Sequence, residues 1–378
     1  MKSKLIHWFQ TRTTHRDQKK SIFLSPDRWL VGIVLILALF GVLMVYDSSV
    51  AIAIRDFGDQ YYFAREQLKW LGIGILSMFV LSRVDYHTLH TLALPALLGV
   101  MGLLVAVFIP GFGVRALGAH RWLNFSIFVL QPAELVKLVL VIYLAAWFSA
   151  REKGRLGAFL LLIGILFGLV ILEPDLGTGI IIVATAIVMY FLSGAPMGHF
   201  TLLVPVIVIG ISLLAFSSPY RFQRLTTYLN PERDPLGASY QIRQVLLALG
   251  SGGLTGIGIG KSRQKYEYLP EANTDSIFAI IGEETGFVGV TLIVGAFAFF
   301  VWRAFRVATR APDLFGRLLA AGTATWIGVQ SLLNIGAMAA VIPLTGVPLP
   351  LISYGGSSFV IILAATGILL NISSQRQR

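Results

Sequence analysis

The chain contains no cysteine and little charge: Asp, Glu, Lys and Arg together make up 13% of its 378 residues. Without cysteine there is no disulfide framework, no thiol nucleophile and no thiolate metal site, and redox chemistry is not expected. Acidic residues are the scarcer charge, 19 Asp and Glu against 30 Lys and Arg, which leaves a net charge of +11. Also missing is any polar stretch long enough to form a soluble domain. What the chain has in excess is hydrocarbon: 56% of it is hydrophobic and the mean hydropathy is +0.77, far outside the range of soluble globular domains. Composition therefore points to one all-α polytopic membrane domain.

A helix needs about 20 apolar residues to cross a hydrocarbon core of about 30 Å. Such runs lie near residues 29–46, 68–84, 89–109, 132–148, 156–172, 177–193, 200–216, 276–302, 316–342 and 357–373. Ten transmembrane helices are expected within 29–373, with a long outer loop, 217–275, between the seventh and eighth. No small-residue cleavage pattern follows the first run, so it is expected to be a retained anchor. A flexible basic tail, residues 1–28, is expected before it, and residues 374–378 form a short C-terminal end. With the N-terminus inside, seventeen Lys and Arg fall in cytoplasmic segments and five in short outer loops. The positive-inside rule then places both termini in the cytoplasm and the long loop outside.

In that orientation the polar clusters share the outer face: "GAHRWLNFSIFVLQPAELVK", "EPDLGTG", "PYRFQRLTTYLNPERDPLGASYQ", "EYLPEANTDSIFAIIGEETGF" and "PLPLISYGGSS". Glu134 and Lys137 are three apart at a helix start and can pair, either in a structural ion pair or in a site. Glu173 and Asp175 occupy a short turn, where Asp175 could simply cap the next helix. "ASYQIRQVLLALG" has the period of an amphipathic surface helix ending in glycine. "SGGLTGIGIGKS" looks like a phosphate loop, but Thr255 stands where that pattern needs its first glycine, so the reading is rejected.

An acidic residue inside a membrane segment is a functional candidate by default. Glu283 and Glu284 lie one to two turns inside the eighth run, where pairing with neighbouring arginines is the structural alternative. Asp275 lies at the entrance and could act chemically or cap the helix. At about 1.5 Å per residue, Asp275 and Glu283 stand about 12 Å apart, too far for a carboxylate pair of the glycosidase kind. One base suffices where the leaving group is already good, as a diphosphate is once cations neutralise it. Candidate cations are Arg115, Arg121, Lys137, Arg221, Arg224, Arg243, Lys261, Arg263 and Lys265. Cations at a membrane surface could equally bind anionic headgroups without chemistry.

Five ordered motifs, "QPAELVKLVLVIYLA", "EPDLGTG", "NPERDPLGASYQ", "TDSIFAIIGEETGFVGV" and "PLPLISYGGSS", resemble the SEDS family of bacterial cell-wall polymerases, the FtsW, RodA and SpoVE group. The likeness covers about residues 27–373 and is nearest the FtsW and SpoVE branch in "KYEYLPEA", "GVLMVY" and "FGDQYYFAREQLKW", although "GSGGL" is shared with RodA-like proteins. The resemblance implies a peptidoglycan glycosyltransferase of the bacterial cytoplasmic membrane, at the division septum. It would polymerise lipid II on the outer leaflet beside a class B penicillin-binding protein and other division-complex proteins, with no nucleic-acid partner. The family's catalytic aspartate maps onto Asp275, which would act as general base on the acceptor sugar while undecaprenyl diphosphate departs. Arg121, Glu134, Lys137, Glu173, Asp175, Arg224, Glu271, Ser353 and Ser357 would bind the lipid-linked substrate, and a divalent cation, Mg or Mn, could assist. Lys137→Ala is accordingly expected to impair substrate use and spare the fold.

The sequence departs from the family at three places. Asn273 replaces the usual histidine, Ser276 the usual phenylalanine, and Asp47 a common serine, the last without an account at this level. Two other functions fit the same charges: a lipid II flippase, and a non-catalytic scaffold of a division complex. Against transport stand the absence of a visible internal repeat and the placement of the charges on one face.

Overall fold

The computed structural model describes residues 25–375 apart from 117–118, 126–127, 151–154, 217–218, 230–238 and 267. The expected tail before residue 25, most of "REKGR" and the turn "NPERDP" lie outside the described residues. Ten long helices stand where the ten apolar runs predict them: α1 (Arg28–Phe57), α2 (Tyr62–Arg83), α3 (His87–Ala106), α4 (Pro132–Ser149), α5 (Leu156–Leu172), α6 (Leu176–Leu192), α7 (Met197–Phe216), α10 (Ile277–Arg310), α11 (Leu314–Met338) and α12 (Gly356–Ser374). Six of them, α1, α3, α4, α10, α11 and α12, are by length and composition alone long and apolar enough to cross a membrane. The protein is a polytopic α-helical membrane protein.

The helix ends follow local chemistry. Asp27 caps α1 by accepting from Trp29 N and Leu30 N, Asp175 caps α6, Asp313 caps α11, and Pro132 opens α4 where its missing N–H is harmless. Helices α4, α11 and α12 form the centre, with Trp326 fully buried. Around them α2 lies along α12, α3 along α4, and α10 along α11, which also packs on α4 and α6. α7 is peripheral and exposes Leu202, Val204, Val206 and Ile209, an apolar surface suited to lipid.

Three features differ from the sequence reading. A three-stranded antiparallel sheet, β1 (Gly113–Ala116), β2 (Ala119–Asn124) and β3 (Val129–Leu130), follows α3, so the chain is not purely helical. Its strands are too short for alternation to stand out beside the apolar runs. The outer loop holds two helices: α9 (Tyr240–Gly252), the expected amphipathic segment, and α8 (Pro219–Leu229), which was not expected.

The third difference is in α10. Its apolar run predicts an unbroken span, but Gly286 takes φ 65°, ψ −165° and divides the helix. An unbroken helix would bond Phe287 N to Glu283 O and Val288 N to Glu284 O. Instead Ile257 N and Gly258 N donate to those two carbonyls, both at 3.0 Å, while Phe287 N and Val288 N donate to Gly253 O at 2.9 Å and Leu254 O at 3.1 Å. The glycine-rich stretch after α9 is therefore a backbone patch for a broken helix. Backbone meets backbone there: a Cβ on Gly256 would lie 2.0 Å from Glu284 O.

Glu283 and Glu284 face the same stretch, and their partners are not arginine side chains. Glu283 accepts from Ser262 Oγ, Arg263 N and Gln264 N, and Glu284 from Ser262 N and the Lys265 ammonium. Lys265 Nζ also reaches Asp47 Oδ1 of α1 at 2.8 Å, which accounts for Asp47 and ties α1, the loop and α10 together. Burial opposes the charge on Lys265, but the hydrogen bonds and negative charges of Asp47 and Glu284 together outweigh it and hold the ammonium above its usual range. Lys265 is thus removed from the cations free to meet a substrate.

Gly256→Ala forces a Cβ into Glu284 O at a φ of +80° and is expected to destabilise the detergent-solubilised protein by about 3 kcal/mol or more. Gly250→Ala, whose Cβ meets nothing within 4 Å, is expected to leave the thermal midpoint unchanged. Equal midpoints for the two variants would refute the patch.

Candidate active site

Four pieces of chain meet at the start of α10. The first is the turn 271–276. Glu271 takes a left-handed φ of 53°, rare for a residue with a Cβ, and its carbonyl gathers Thr274 N at 3.2 Å and Ser276 N at 3.0 Å. Three successive carbonyls are then pinned. Tyr354 N donates to Asn273 O at 2.9 Å, Ser353 Oγ to Thr274 O at 2.7 Å, and Asn334 Nδ2 to Asp275 O at 2.8 Å. The Asp275 main chain is held, while among the described residues its carboxylate receives no hydrogen bond. Nor does Asp275 cap α10, whose N-cap position is Ser276.

The second piece is the turn between α5 and α6. Asp175 accepts from Thr178 N at 3.0 Å and Thr178 Oγ1 at 2.8 Å, the capping role that was the structural alternative. Glu173 is fully buried, and among the described residues neither carboxylate oxygen has a partner. Burial, aided by the charge on Asp175, pushes Glu173 up to about 8 against the pull of Arg121, so it is mostly neutral at neutral pH. The third piece is β2, whose Arg121 grips this turn by donating Nε to Glu173 O at 3.0 Å and Nη2 to Pro174 O at 2.6 Å.

The fourth piece is α8 with the segment before α12. Arg224 Nη1 donates to Leu344 O at 2.8 Å and Tyr228 OH to Val341 O at 2.7 Å. Gly346, at φ 71°, lies beside both Asp275 and Arg224: a Cβ there would be 3.5 Å from Asp275 Oδ2 and 3.8 Å from Arg224 Nη1. Burial, then the negative charges of Glu271 and Asp175, push Asp275 up to about 7 against the pull of Arg224 and Arg121. A cavity of about 250 Å³ opens here, lined by Gln223, Arg224, Thr227, Tyr228, Gln241, Ile242 and Leu344. Gln223, Thr227, Tyr228 and Gln241 were not foreseen. The signal for two of them was available, since Arg224, Thr227 and Tyr228 are spaced to share one helix face.

Of the residues singled out in the sequence, Asp275, Glu271, Asp175, Glu173, Arg121 and Arg224 thus belong to one electrostatic neighbourhood. The others do not join it as binding groups. Lys137 Nζ bridges Glu134 Oε1 at 2.6 Å and Gln330 Oε1 at 2.8 Å in the buried centre. Gln330 in turn holds Pro348 O at 3.1 Å, so the pair supports the segment beside the site from within. Ser353 is buried and bonded to backbone on both sides, from Leu349 N and to Thr274 O. Ser357 ties α12 to Val129 O and Gln131 N. Both serines position backbone. Arg243, Lys261 and Arg263 are exposed, and the side chains of Arg115 and Arg221 lie outside what is described. Among the described residues no three acidic or histidine side chains group to hold a metal ion.

A helical bundle with a broken helix that follows a pinned aspartate gives a specific pattern to compare with known proteins. The FtsW, RodA and SpoVE family model, described as cell cycle protein, matches residues 27–378. The chain belongs to this family. Stage V sporulation protein E of Bacillus subtilis is 45% identical over 356 residues, which is 92% of this chain and 97% of that protein. A probable peptidoglycan glycosyltransferase FtsW of Geobacter sp. (strain M18) is 39% identical over 355 residues, again 92% of this chain and 97% of the relative. Among solved structures, a chain of a peptidoglycan synthase complex described as coordinating polymerization and crosslinking aligns with a TM-score of 0.78 at 29% identity, covering 93% of this chain and 99% of that one. The rod shape determining protein RodA of Thermus thermophilus aligns with a TM-score of 0.70 at 29% identity, covering 94% and 99%. In this FtsW, RodA and SpoVE member the pinned aspartate of the site is Asp275.

The enclosure of Lys137 reverses the expectation that its loss would spare the fold. Lys137→Ala leaves Glu134 buried without its cation and is expected to cost about 3–5 kcal/mol of stability. The double variant Glu134→Gln, Lys137→Met should recover much of that loss in thermal unfolding. A Lys137→Ala protein as stable as the wild type would show that the pair is not structural.

Proposed function

We propose that this chain is a peptidoglycan glycosyltransferase that polymerises lipid II, with Asp275 as general base. The observation that carries this reading is the state of Asp275: its backbone is fixed, its carboxylate has no hydrogen-bond donor among the described residues, and its pKa is pushed up to about 7. A carboxylate of ordinary acidity is a weak base at neutral pH, whereas one near 7 accepts a proton readily and still ionises. In the reaction the Asp275 carboxylate takes the proton from the 4-hydroxyl of the acceptor N-acetylglucosamine. The freed oxygen bonds to the anomeric carbon of the donor, and the carbon–oxygen bond to diphosphate breaks. Undecaprenyl diphosphate leaves with the electron pair, and the single displacement inverts the anomeric centre.

Arg121 and Arg224 are the two cations of the neighbourhood and favour the diphosphate charge as it develops. Neutral Glu173 matters to that balance, since an ionised glutamate there would offset one of them. A divalent cation arriving with the diphosphate would supply further positive charge and needs only one or two protein carboxylates, the mode magnesium uses beside substrate phosphates. No step above depends on it.

The partner is read as a class B penicillin-binding protein, supported by the likeness to a synthase complex that couples polymerization with crosslinking. The setting is read as septal synthesis in the bacterial cytoplasmic membrane with both termini inside. The Lys and Arg bias supports the orientation, and relatives named FtsW, at 39% identity, support the septal reading, beside a 45% identical relative named for sporulation.

With purified lipid II and a class B partner, the wild type is expected to build glycan strands and Asp275→Asn to lose at least about 100-fold in rate while still folding. The wild-type rate should rise as pH is raised through about 7 and then level off, because the base works only when deprotonated. Normal polymerisation by Asp275→Asn would remove the base assignment.

A further inference from the structure

At the end of the bundle opposite Asp275, the start of α1, the last turns of α10 and the end of α12 enclose a cavity of about 220 Å³. Arg28, Arg303, Arg306 and Arg310 line it, with Asp27 the only acid among the described lining residues. Asp27 is committed three times over: Oδ1 accepts from Trp29 N and Leu30 N, both at 3.1 Å, and Oδ2 accepts from Arg303. Its own N–H donates to Ser373 Oγ at 3.1 Å, which closes the cavity wall between α1 and α12. Among the described lining residues positive side chains outnumber negative ones, with Arg28, Arg303 and Arg306 standing around the single Asp27 carboxylate. Arg303 Nε is buried and, among the described residues, finds no acceptor.

The depth of the cavity is marked by aromatics. Trp29 is 68% exposed and Trp302 50% exposed, and the guanidinium carbons of Arg303 and Arg306 lie 5.5 Å and 5.3 Å from the centre of the Trp302 ring. Exposed tryptophans beside arginines are the pattern of the membrane–water boundary, where headgroups sit. Planar guanidinium forks match phosphate oxygens. The volume lies below the roughly 300–1,000 Å³ of sites that enclose a whole nucleotide-sized ligand, but a headgroup needs enclosure only at its polar end.

We propose that this cavity binds the phosphate headgroup of an anionic phospholipid from the leaflet opposite Asp275. Basic residues that serve only to orient the chain need no shared cavity. Arg83, at the same end of the bundle, is such a case: it is exposed, and its guanidinium carbon lies 4.9 Å from the centre of the Phe79 ring.

The test is lipid retention by the purified full chain in neutral detergent, read by native mass spectrometry with phosphatidylglycerol or phosphatidylcholine, with thermal midpoints as the control for folding. The wild type should retain phosphatidylglycerol on the order of ten-fold more strongly than phosphatidylcholine. Arg306→Gln, which leaves the Asp27–Arg303 contact intact, should weaken phosphatidylglycerol on the order of five-fold, and adding Arg28→Gln should weaken it by a similar factor again. Arg83→Gln should match the wild type. The proposal fails if Arg83→Gln weakens binding as much as Arg306→Gln, if Arg306→Gln retains the lipid like the wild type, or if phosphatidylcholine is held equally well. It fails as a lipid site if inorganic phosphate alone raises the wild-type thermal midpoint as much as phosphatidylglycerol does. None of these readouts depends on the role of Asp275.

Discussion

The structure depends on how the break in α10 is made good. Opening a helix inside a membrane exposes two carbonyls and two N–H groups that lipid cannot satisfy, at a cost of several kcal/mol each. Here residues 253–258 supply two donors and two acceptors in matching register, so all four groups are bonded again. The ion cluster beside them extends the repair to side chains, with Lys265 joining Asp47 to Glu284. Once the break is closed, the short first segment of α10 is fixed against the outer loop, and the turn carrying Asp275 has a rigid base to stand on.

The second layer of order lies in α11. Two of its buried polar residues, Gln330 and Asn334, reach out to irregular backbone that has no secondary structure to satisfy it, while Thr323, Thr325 and Ser331 bond back to carbonyls of α11 itself. Gln330 holds Pro348 O, and Asn334 holds both Asp275 O and Val347 O. Buried polar groups are tolerated where they are bonded, and bonded groups of this kind specify one arrangement of loops. The backbone of the candidate site is thereby held in part by a helix that, among the described lining residues, does not line the cavity beside it.

Much of this was legible in the sequence. Ten apolar runs gave the ten long helices, Pro132 and Asp175 announced helix starts, and the placement of Asp275, Glu173, Asp175, Arg121 and Arg224 near one another followed from motif order and membrane sidedness. The sequence was silent where the deciding contact is between distant backbones. Nothing in the apolar pattern of 276–302 marks Gly286 as a break, because the compensating groups lie about thirty residues earlier. Asp47 had no visible reason until Lys265 was found beside it. Glu134 and Lys137 were read correctly as a pair, yet whether the pair faced a site or the interior depended on α11 packing over it. Ser353 and Ser357 were misplaced for a similar reason: a hydroxyl in a polar motif does not declare whether it will meet a ligand or a carbonyl.

Gly346 contributes almost no atoms to the site, yet two opposite charges lie against it. The side chains of Asp275 and Arg224 both come close to it, with Arg224 donating to Leu344 O. Were the two to collapse into a salt bridge, the guanidinium would hold the aspartate ionised at low pH and make it a poorer proton acceptor. A Cβ at this position would already be in van der Waals contact with both side chains, and glycine adopts the left-handed backbone found here without strain. The surroundings of the proposed base are thus shaped in part by a residue that has no side chain to titrate.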